Sequence, residues 1–255
     1  MDNLYQHPKY YEIAFSFRDI KGEVDTFEEG IKRFSKIPVT NILEIGCGNS
    51  PHMVELVKRG YYYYGIDLSE EMIDYSKEKS RDITEKVHFT CADMTNFKLN
   101  QEVDFIYITL GSLYATTNEE LNSHFDSISK VLKNGGLYFL DWCIDFEPLS
   151  ENRDTWEMEQ NGIQVLTEYS TSNINKVAQT YEESIKLDIN DNGKRLSFIQ
   201  KGVRRAIYPQ EFLFLLQGRG DFEFIGWWND WDLERPLKGK EKISRPIIMI
   251  RKKMR

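Results

Sequence analysis

Two hydrophobic periods alternate along the chain as far as Trp142. Val24, Phe27, Ile31 and Phe34 recur at helical spacing and predict a helix over Glu23 to Ser35. Ile42, Leu43 and Ile45 form a short apolar run that reads as a buried strand, broken at Gly46-Cys47-Gly48. Pro51 suits the first turn of the next helix because its missing N–H costs nothing there, and Gly60 stops that helix after Arg59. The pattern then repeats. Tyr61 to Ile66 reads as a strand, followed by a helix from the N-cap Ser69 to about Asp82, and Val87 to Cys91 as the third strand. Asp104 to Thr109 is the fourth strand. Leu121, Phe125, Ile128 and Leu132 mark one face of a helix over Glu119 to Leu132, which Asn134-Gly-Gly136 ends before a fifth strand, Leu137 to Trp142. Strands alternating with helices predict a parallel α/β sheet covered on both faces.

Residues 150 to 206 switch to period two. Val177, Gln179, Tyr181, Glu183, Ile185 and Leu187 fall on one face of a strand, and Asn190-Asp-Asn-Gly193 is a hairpin turn leading into Arg195 to Arg204. Ile163 to Thr171 reads as another strand. An excursion of this length inside an α/β domain is too long for a plain connection. It predicts a small antiparallel sheet over the ligand edge, with Trp156, Tyr169, Tyr181 and Arg204 as possible contacts and the inward face undetermined. Pro209 to Gln217 reads as a helix, and Phe222 to Trp228 and Pro246 to Ile250 as two closing strands.

The polar residues at the strand ends supply the chemistry. Glu44 lies just inside the first strand, Asp67 ends the second, and Asp93 follows the third. Ligands bind at this carboxyl edge in open α/β sheets, and a glycine turn leading to a helix admits a close-lying ligand. A nicotinamide dinucleotide needs G-x-G-x-x-G, but the third position here is Pro51. Asp67 suits the hydroxyls of any ribose. Asp93 suits an adenine amino group, which a ligand lacking pyrophosphate can place there.

Five segments in order resemble the motif series of class I S-adenosylmethionine-dependent methyltransferases: Leu43-Glu-Ile-Gly-Cys-Gly48, Gly65-Ile-Asp-Leu-Ser-Glu-Glu-Met-Ile73, Cys91-Ala-Asp-Met94, Asp104-Phe-Ile-Tyr-Ile-Thr-Leu-Gly-Ser112 and Val131-Leu-Lys-Asn-Gly-Gly-Leu-Tyr-Phe-Leu140. Asn49-Ser50 stand where many members carry a third glycine or a Thr-Gly pair. The resemblance implies a doubly wound, mostly parallel seven-stranded sheet with an antiparallel last strand. On this reading, residues 1–149 and 206–255 form the cofactor-binding core with an N-terminal helical cover, and residues 150–205 form an inserted antiparallel β lid. It also implies S-adenosylmethionine as cofactor and S-adenosylhomocysteine as product. Glu44, Gly46, Cys47 and Gly48 would cradle the methionine half. Asp67 would hold the ribose, with Leu68 and Met72 beside the adenine. Asp93 would accept from the adenine amino group, Met94 would pack on its ring, and Leu110 and Ser112 would line the sulfonium end. In small-molecule members an N-terminal aromatic stretch closes over the cofactor. Tyr10, Tyr11 and Arg18 are therefore candidates for touching its carboxylate or the acceptor, and Tyr11 and Tyr114 for shaping the reaction site.

Composition narrows the class further. Forty per cent hydrophobic and 13% aromatic residues make a globular chain, and a net charge of −8 disfavours nucleic acid. No apolar run reaches the roughly 18 residues that span a bilayer. Cys47, Cys91 and Cys143 are widely spaced and fit reduced thiols, and the start carries no signal pattern, so a cytoplasmic monomer or homodimer is expected. No cluster has metal-ligand spacing, so no metal is expected. Cys47 reads as a small buried side chain, His52 as packing or a ligand contact, and His124 as exposed. With no visible base pair over the methyl, orientation would carry an in-line transfer to a small soluble molecule, and a nitrogen acceptor is favoured over oxygen. A non-catalytic binder of the same cofactor and a nicotinamide oxidoreductase are the alternatives.

Overall fold

The computed structural model describes residues 3–254. After a 3-10 turn at Leu4–Gln6, helices α1 (Pro8–Ala14) and α2 (Ile20–Phe34) precede the sheet. There follow β1 (Asn41–Ile45), α3 (Met53–Lys58), β2 (Tyr62–Asp67), α4 (Glu70–Lys79), β3 (Val87–Cys91), β4 (Val103–Ile108), α5 (Asn118–Val131) and β5 (Leu132–Asp141). The chain continues through β6 (Asn152–Gln160), β7 (Ile163–Asn175), β8 (Thr180–Asp191), β9 (Lys194–Arg205), α6 (Pro209–Arg219), β10 (Phe222–Asn229) and β11 (Pro246–Lys252).

Seven strands form one sheet in the order β10-β11-β5-β4-β1-β2-β3. The pairs among β1 to β5 are parallel, and β11, the last strand, runs antiparallel between β5 and β10. β4 is buried at every position, as a strand covered on both faces must be. Its alternate side chains feed two cores. Ile106 and Ile108 join Leu43, Ile45, Phe125 of α5 and Phe212 of α6, whereas Phe105 and Tyr107 join Ile42, Val24 and Phe27 of α2 and Leu56 of α3.

Strand order reverses at β1, and the register sets what emerges there. Ile45 pairs with Ile66 on one side and Ile108 on the other, so Gly46, Asp67 and Thr109 leave the sheet at one level. Asp67 pairs with Cys91, which brings Asp93 to the same edge.

The remaining four strands form a separate antiparallel sheet, β6-β7-β8-β9. Its hairpin turn is Asn192-Gly193, with φ of 52° and 91°, the left-handed pair that a two-residue turn requires. Val165, Leu187, Ile189 and Phe198 pack against Leu4, Ile13 and Ala14, so the N-terminal turn and α1 share a core with this sheet.

Several boundaries differ from the sequence reading. α2 starts at Ile20 because the Asp19 side chain accepts from Gly22 N–H and caps it. Pro51 lies in a turn and α3 begins only at Met53, since Ser50 takes φ 48° and delays the helix. Asn134-Gly-Gly136 falls inside β5, where the register slips between Val103↔Leu132 and Phe105↔Leu137. Val177 is 97% exposed in the turn before β8, not on its inward face. The small sheet has a further strand, β6, beyond those the alternation marked.

Candidate active site

Two cavities meet over the switch point and share Tyr11, Gly46, Gly48 and Ser112. The smaller, about 330 Å³, reaches Arg18, Glu44, Lys79 and Leu110. The larger, about 710 Å³, runs past Asp67, Leu68, Met72, Asp93 and Met94 to Tyr114 and the small sheet. The glycine turn makes this possible. Gly46 and Gly48 have φ of 62° and 50°, and a Cβ on Gly46 would meet Met94 Cε at 3.5 Å and Ser112 Cβ at 3.6 Å.

Asp67 is held rigidly at the centre. Gly48 N–H donates to its Oδ2 at 2.8 Å and Ser69 N–H to its Oδ1 at 2.9 Å. Burial pushes its carboxyl pKa above the ordinary value, against these backbone donors. Ser69 caps α4, so Asp67 is not the helix cap. Asp93 Oδ1 accepts from Thr95 N–H and Thr95 Oγ1, both at 2.8 Å, in a turn that no helix follows. Leu68 is 73% exposed at the mouth, and Met72 is buried in the wall.

Glu44 lines the small cavity, but its carboxylate is occupied from behind. Tyr63 Oη and Tyr107 Oη donate to its Oε2 at 2.5 and 2.9 Å, and His52 Nδ1 lies 3.4 Å from its Oε1. His52 is fully buried and lines neither cavity. Its Nε2 is 2.7 Å from Glu23 and 3.2 Å from Arg18 Nη2. Arg18 borders the small cavity while pairing with Glu23. Burial alone would raise the Glu23 carboxyl, but hydrogen bonds from His52 and Arg18 and the Arg18 charge hold it far below the carboxylate range. Arg245 joins Glu23 (3.1 Å) to Asp141, and Asp141 Oδ2 accepts Leu110 N–H at 2.8 Å. A buried ionic chain thus runs beneath the cavity floor from the N-terminal segment to the loop after β4. Cys47 is buried in the turn, and burial raises its thiol, which suits packing and not nucleophilic attack.

His124, expected to be exposed, is fully buried. It shares a stripe with Leu121, Phe125 and Ile128 at helical spacing, which explains its burial. Its Nδ1 meets the Met94 carbonyl at 2.9 Å and its Nε2 the Tyr138 hydroxyl at 2.9 Å, so Nδ1 donates and the neutral ring accepts at Nε2. Burial lowers its pKa from 6.5 to about 4. An NMR titration is expected to find its midpoint near 4. Because the folded protein binds this proton more weakly than the unfolded chain, stability should decline as pH falls from about 6.5 towards 4, by up to about 1.4 kcal/mol per unit.

From the small sheet, Trp156, Tyr169, Tyr181 and Arg204 do not line either cavity. Trp156 Nε1 donates to the Ala14 carbonyl at 2.7 Å. Glu183, Ile185, Gln200 and Gly202 line the larger cavity instead, together with Tyr5 of the N-terminal turn. The sequence signal for Glu183 was a carboxylate in the apolar register of β8. Among the described residues no group of three or more His, Cys, Asp or Glu side chains could hold a metal, and no helix is long and apolar enough to cross a membrane.

The glycine turn, the two strand-end carboxylates and the cavity they share coincide with a sequence-family match: the family described as methyltransferase domain matches residues 42–136. Over these residues the chain is similar to methyltransferase domains. A solved S-adenosylmethionine-dependent methyltransferase from Clostridium acetobutylicum ATCC 824 has the same fold, with TM-score 0.78 and 19% identity over 96% of each chain. An amino pentose methyltransferase from Micromonospora echinaspora, solved with S-adenosylmethionine bound, aligns with TM-score 0.70 and 16% identity over 95% of this chain and 96% of its own. A dTDP-3-amino-3,4,6-trideoxy-alpha-D-glucopyranose N,N-dimethyltransferase from Streptomyces venezuelae is 24% identical over 53% of this chain and 56% of its own. The chain spans about half the length of the curated relatives it matches. The methyltransferase domain match ends at residue 136, so it excludes the small sheet that walls the larger cavity.

Proposed function

We propose that the protein is an S-adenosylmethionine-dependent methyltransferase that acts on a small soluble molecule, with nitrogen favoured over oxygen as acceptor. The observation that carries this reading is the opening of Asp67 and Asp93 onto one cavity with the Gly46–Gly48 turn. The residues fit the cofactor. Backbone bare of side chains at Gly46 and Gly48 leaves room for the methionine half, and Arg18 and Lys79 border the end where a carboxylate would lie. Asp67 would accept the ribose hydroxyls. Leu68 and Met72 would flank the adenine, Asp93 would accept its amino group, and Met94 would pack on its ring. Leu110 and Ser112 would border the sulfur, and Tyr11 stands where the two cavities join.

When bound, the cofactor supplies a methyl group on a positively charged sulfur. The chain's own contribution is orientation, for which alignment of nucleophile and methyl supplies up to about 7–11 kcal/mol. Residues 1–149 and 206–255 would act as the binding core, and residues 150–205 as the lid that closes the acceptor side. Calorimetry is expected to give micromolar S-adenosylmethionine binding, about −8 kcal/mol. Absence of heat at millimolar cofactor, or tighter binding of NADH in the same cell, would sink the reading.

A further inference from the structure

The larger cavity has an unusual charge balance. Six carboxylates line it (Asp67, Glu70, Glu71, Asp93, Glu120 and Glu183), and among the described residues no Lys, Arg or His does. Of the β9 cations nearby, Arg204 lies outside the lining and is paired with Glu183, and Lys201 pairs with Glu182 and is 55% exposed. Phosphate groups are recognised by Arg forks, Lys or converging backbone amides. Nothing of that charge faces this cavity, whereas the Streptomyces venezuelae relative is named for a nucleoside-diphosphate sugar.

Glu183 is the carboxylate that the small sheet contributes to this lining. It is 6% exposed and accepts three hydrogen bonds: Tyr114 Oη to Oε1 at 2.6 Å, Tyr169 Oη to Oε2 at 3.0 Å and Arg204 Nη1 to Oε2 at 2.9 Å. A carboxylate offers about four acceptor sites, so one remains, on Oε1. Three tyrosines flank it. The rings of Tyr5 and Tyr11 meet edge to face at 5.9 Å, and the Tyr114 ring lies against Gly202, where an added Cβ would come within 3.3 Å. Burial and the Glu183 charge push the Tyr5 hydroxyl up to about 12, so it stays protonated. Arg204, whose guanidinium lies 5.7 Å over the Tyr114 ring, already supplies the cation here, so the free acceptor site on Oε1 suits a neutral N–H donor.

We propose that the acceptor is the amine of a small molecule without phosphate groups, held by an N–H donated to Glu183 between the rings of Tyr5, Tyr11 and Tyr114. This rests on the methyltransferase reading above. The lone pair of the neutral amine forms the N–CH₃ bond as the C–S bond breaks and its electron pair stays on sulfur. The nitrogen becomes an ammonium and keeps its proton until the product leaves. Positive charge therefore passes from sulfur to nitrogen, towards Glu183, and the anion favours the transition state more than the neutral amine. Glu183 is fixed by three donors and acts as an anchor, with no proton transfer assigned to it.

The test is calorimetry on protein loaded with S-adenosylhomocysteine, using glucosamine, benzylamine and thymidine diphosphate as probes. At least one amine is expected to bind below about 1 mM, and thymidine diphosphate not at all in that range. Glu183→Gln should weaken the amine tenfold or more and leave S-adenosylhomocysteine binding within about threefold. If Glu183→Gln unfolds, Glu183→Asp keeps the charge opposite Arg204 but withdraws the carboxylate, and the same loss is expected. Binding of neither amine, tighter binding of thymidine diphosphate, or amine binding unchanged in the folded variant would overturn the proposal. Failure of the wild type to bind S-adenosylhomocysteine would instead remove the methyltransferase reading beneath it.

Discussion

Asp67→Ala is expected to weaken S-adenosylmethionine binding about 100-fold, or about 2.7 kcal/mol, in a protein that still folds. The carboxylate is held in place before any ligand arrives, because Gly48 N–H and Ser69 N–H each take one of its oxygens. Its remaining lone pairs are available for two ribose hydroxyls. Hydrogen bonds to a charged group contribute about 1.5–3 kcal/mol each, and a preorganised acceptor loses little entropy in making them. Alanine also releases the Gly48 and Ser69 amides, but both border a cavity where water can pair with them, so the fold should survive. Asp67→Asn keeps the shape and one acceptor oxygen, and about a tenfold loss is expected. Because burial raises the Asp67 pKa, a proton competes with the ligand earlier than at an ordinary carboxyl, and affinity should fall on the acid side. Calorimetry at neutral and mildly acid pH measures both effects. An affinity within threefold of wild type would remove Asp67 from the cofactor site.

The parts of this protein legible in the sequence are those whose causes are local. Parallel strands buried on both faces are apolar runs by necessity, and the strand-end aspartates lie within a few residues of the turns that place them. The Asn192-Gly193 hairpin is legible for the same reason, since its φ values demand those residues. What stayed hidden depends on distant packing. β6 is an edge strand whose Arg153, Asp154, Glu157 and Glu159 face water, and its apolar face is only Trp156 and Met158, too short a period-two pattern to betray it. Glu183 meets Tyr114 across 69 residues of sequence, a contact that no periodicity encodes. The alternation did put Glu183 beside Tyr181 and Leu187, but a buried acid acquires meaning only once its donors are known. Arg18 illustrates the converse. Its candidacy for the cofactor carboxylate followed from the family resemblance, while its pairing with Glu23 and His52 required the fold.

Arg245→Ala is expected to cost about 3–5 kcal/mol of stability, because it strands a buried charge. Asp141 is fully buried, and Arg245 Nε and Nη2 donate to its two oxygens at 2.9 and 2.6 Å. The guanidinium also lies 4.7 Å over the Trp231 ring and donates to Glu23 at 3.1 Å. Without it, Asp141 keeps Trp231 Nε1 and Leu110 N–H as neutral donors but has no compensating cation. Against a typical total of about 5–15 kcal/mol this loss is severe, and for a chain of this size it corresponds to a fall in Tm of about 6–20 °C. The effect should reach the active site as well. Leu110 takes φ 54° and is fixed there by its N–H to Asp141, so a loosened Asp141 frees the loop that borders the sulfur end of the cavity. Arg245→Lys keeps a charge but not the two-pronged geometry, and an intermediate loss is expected. Chemical denaturation gives the stability change, and calorimetry of the folded fraction gives the cofactor affinity. A loss below about 1 kcal/mol would mean that water or another cation reaches Asp141, and the ionic chain beneath the site would then be a set of separate pairs with no hold on the loop.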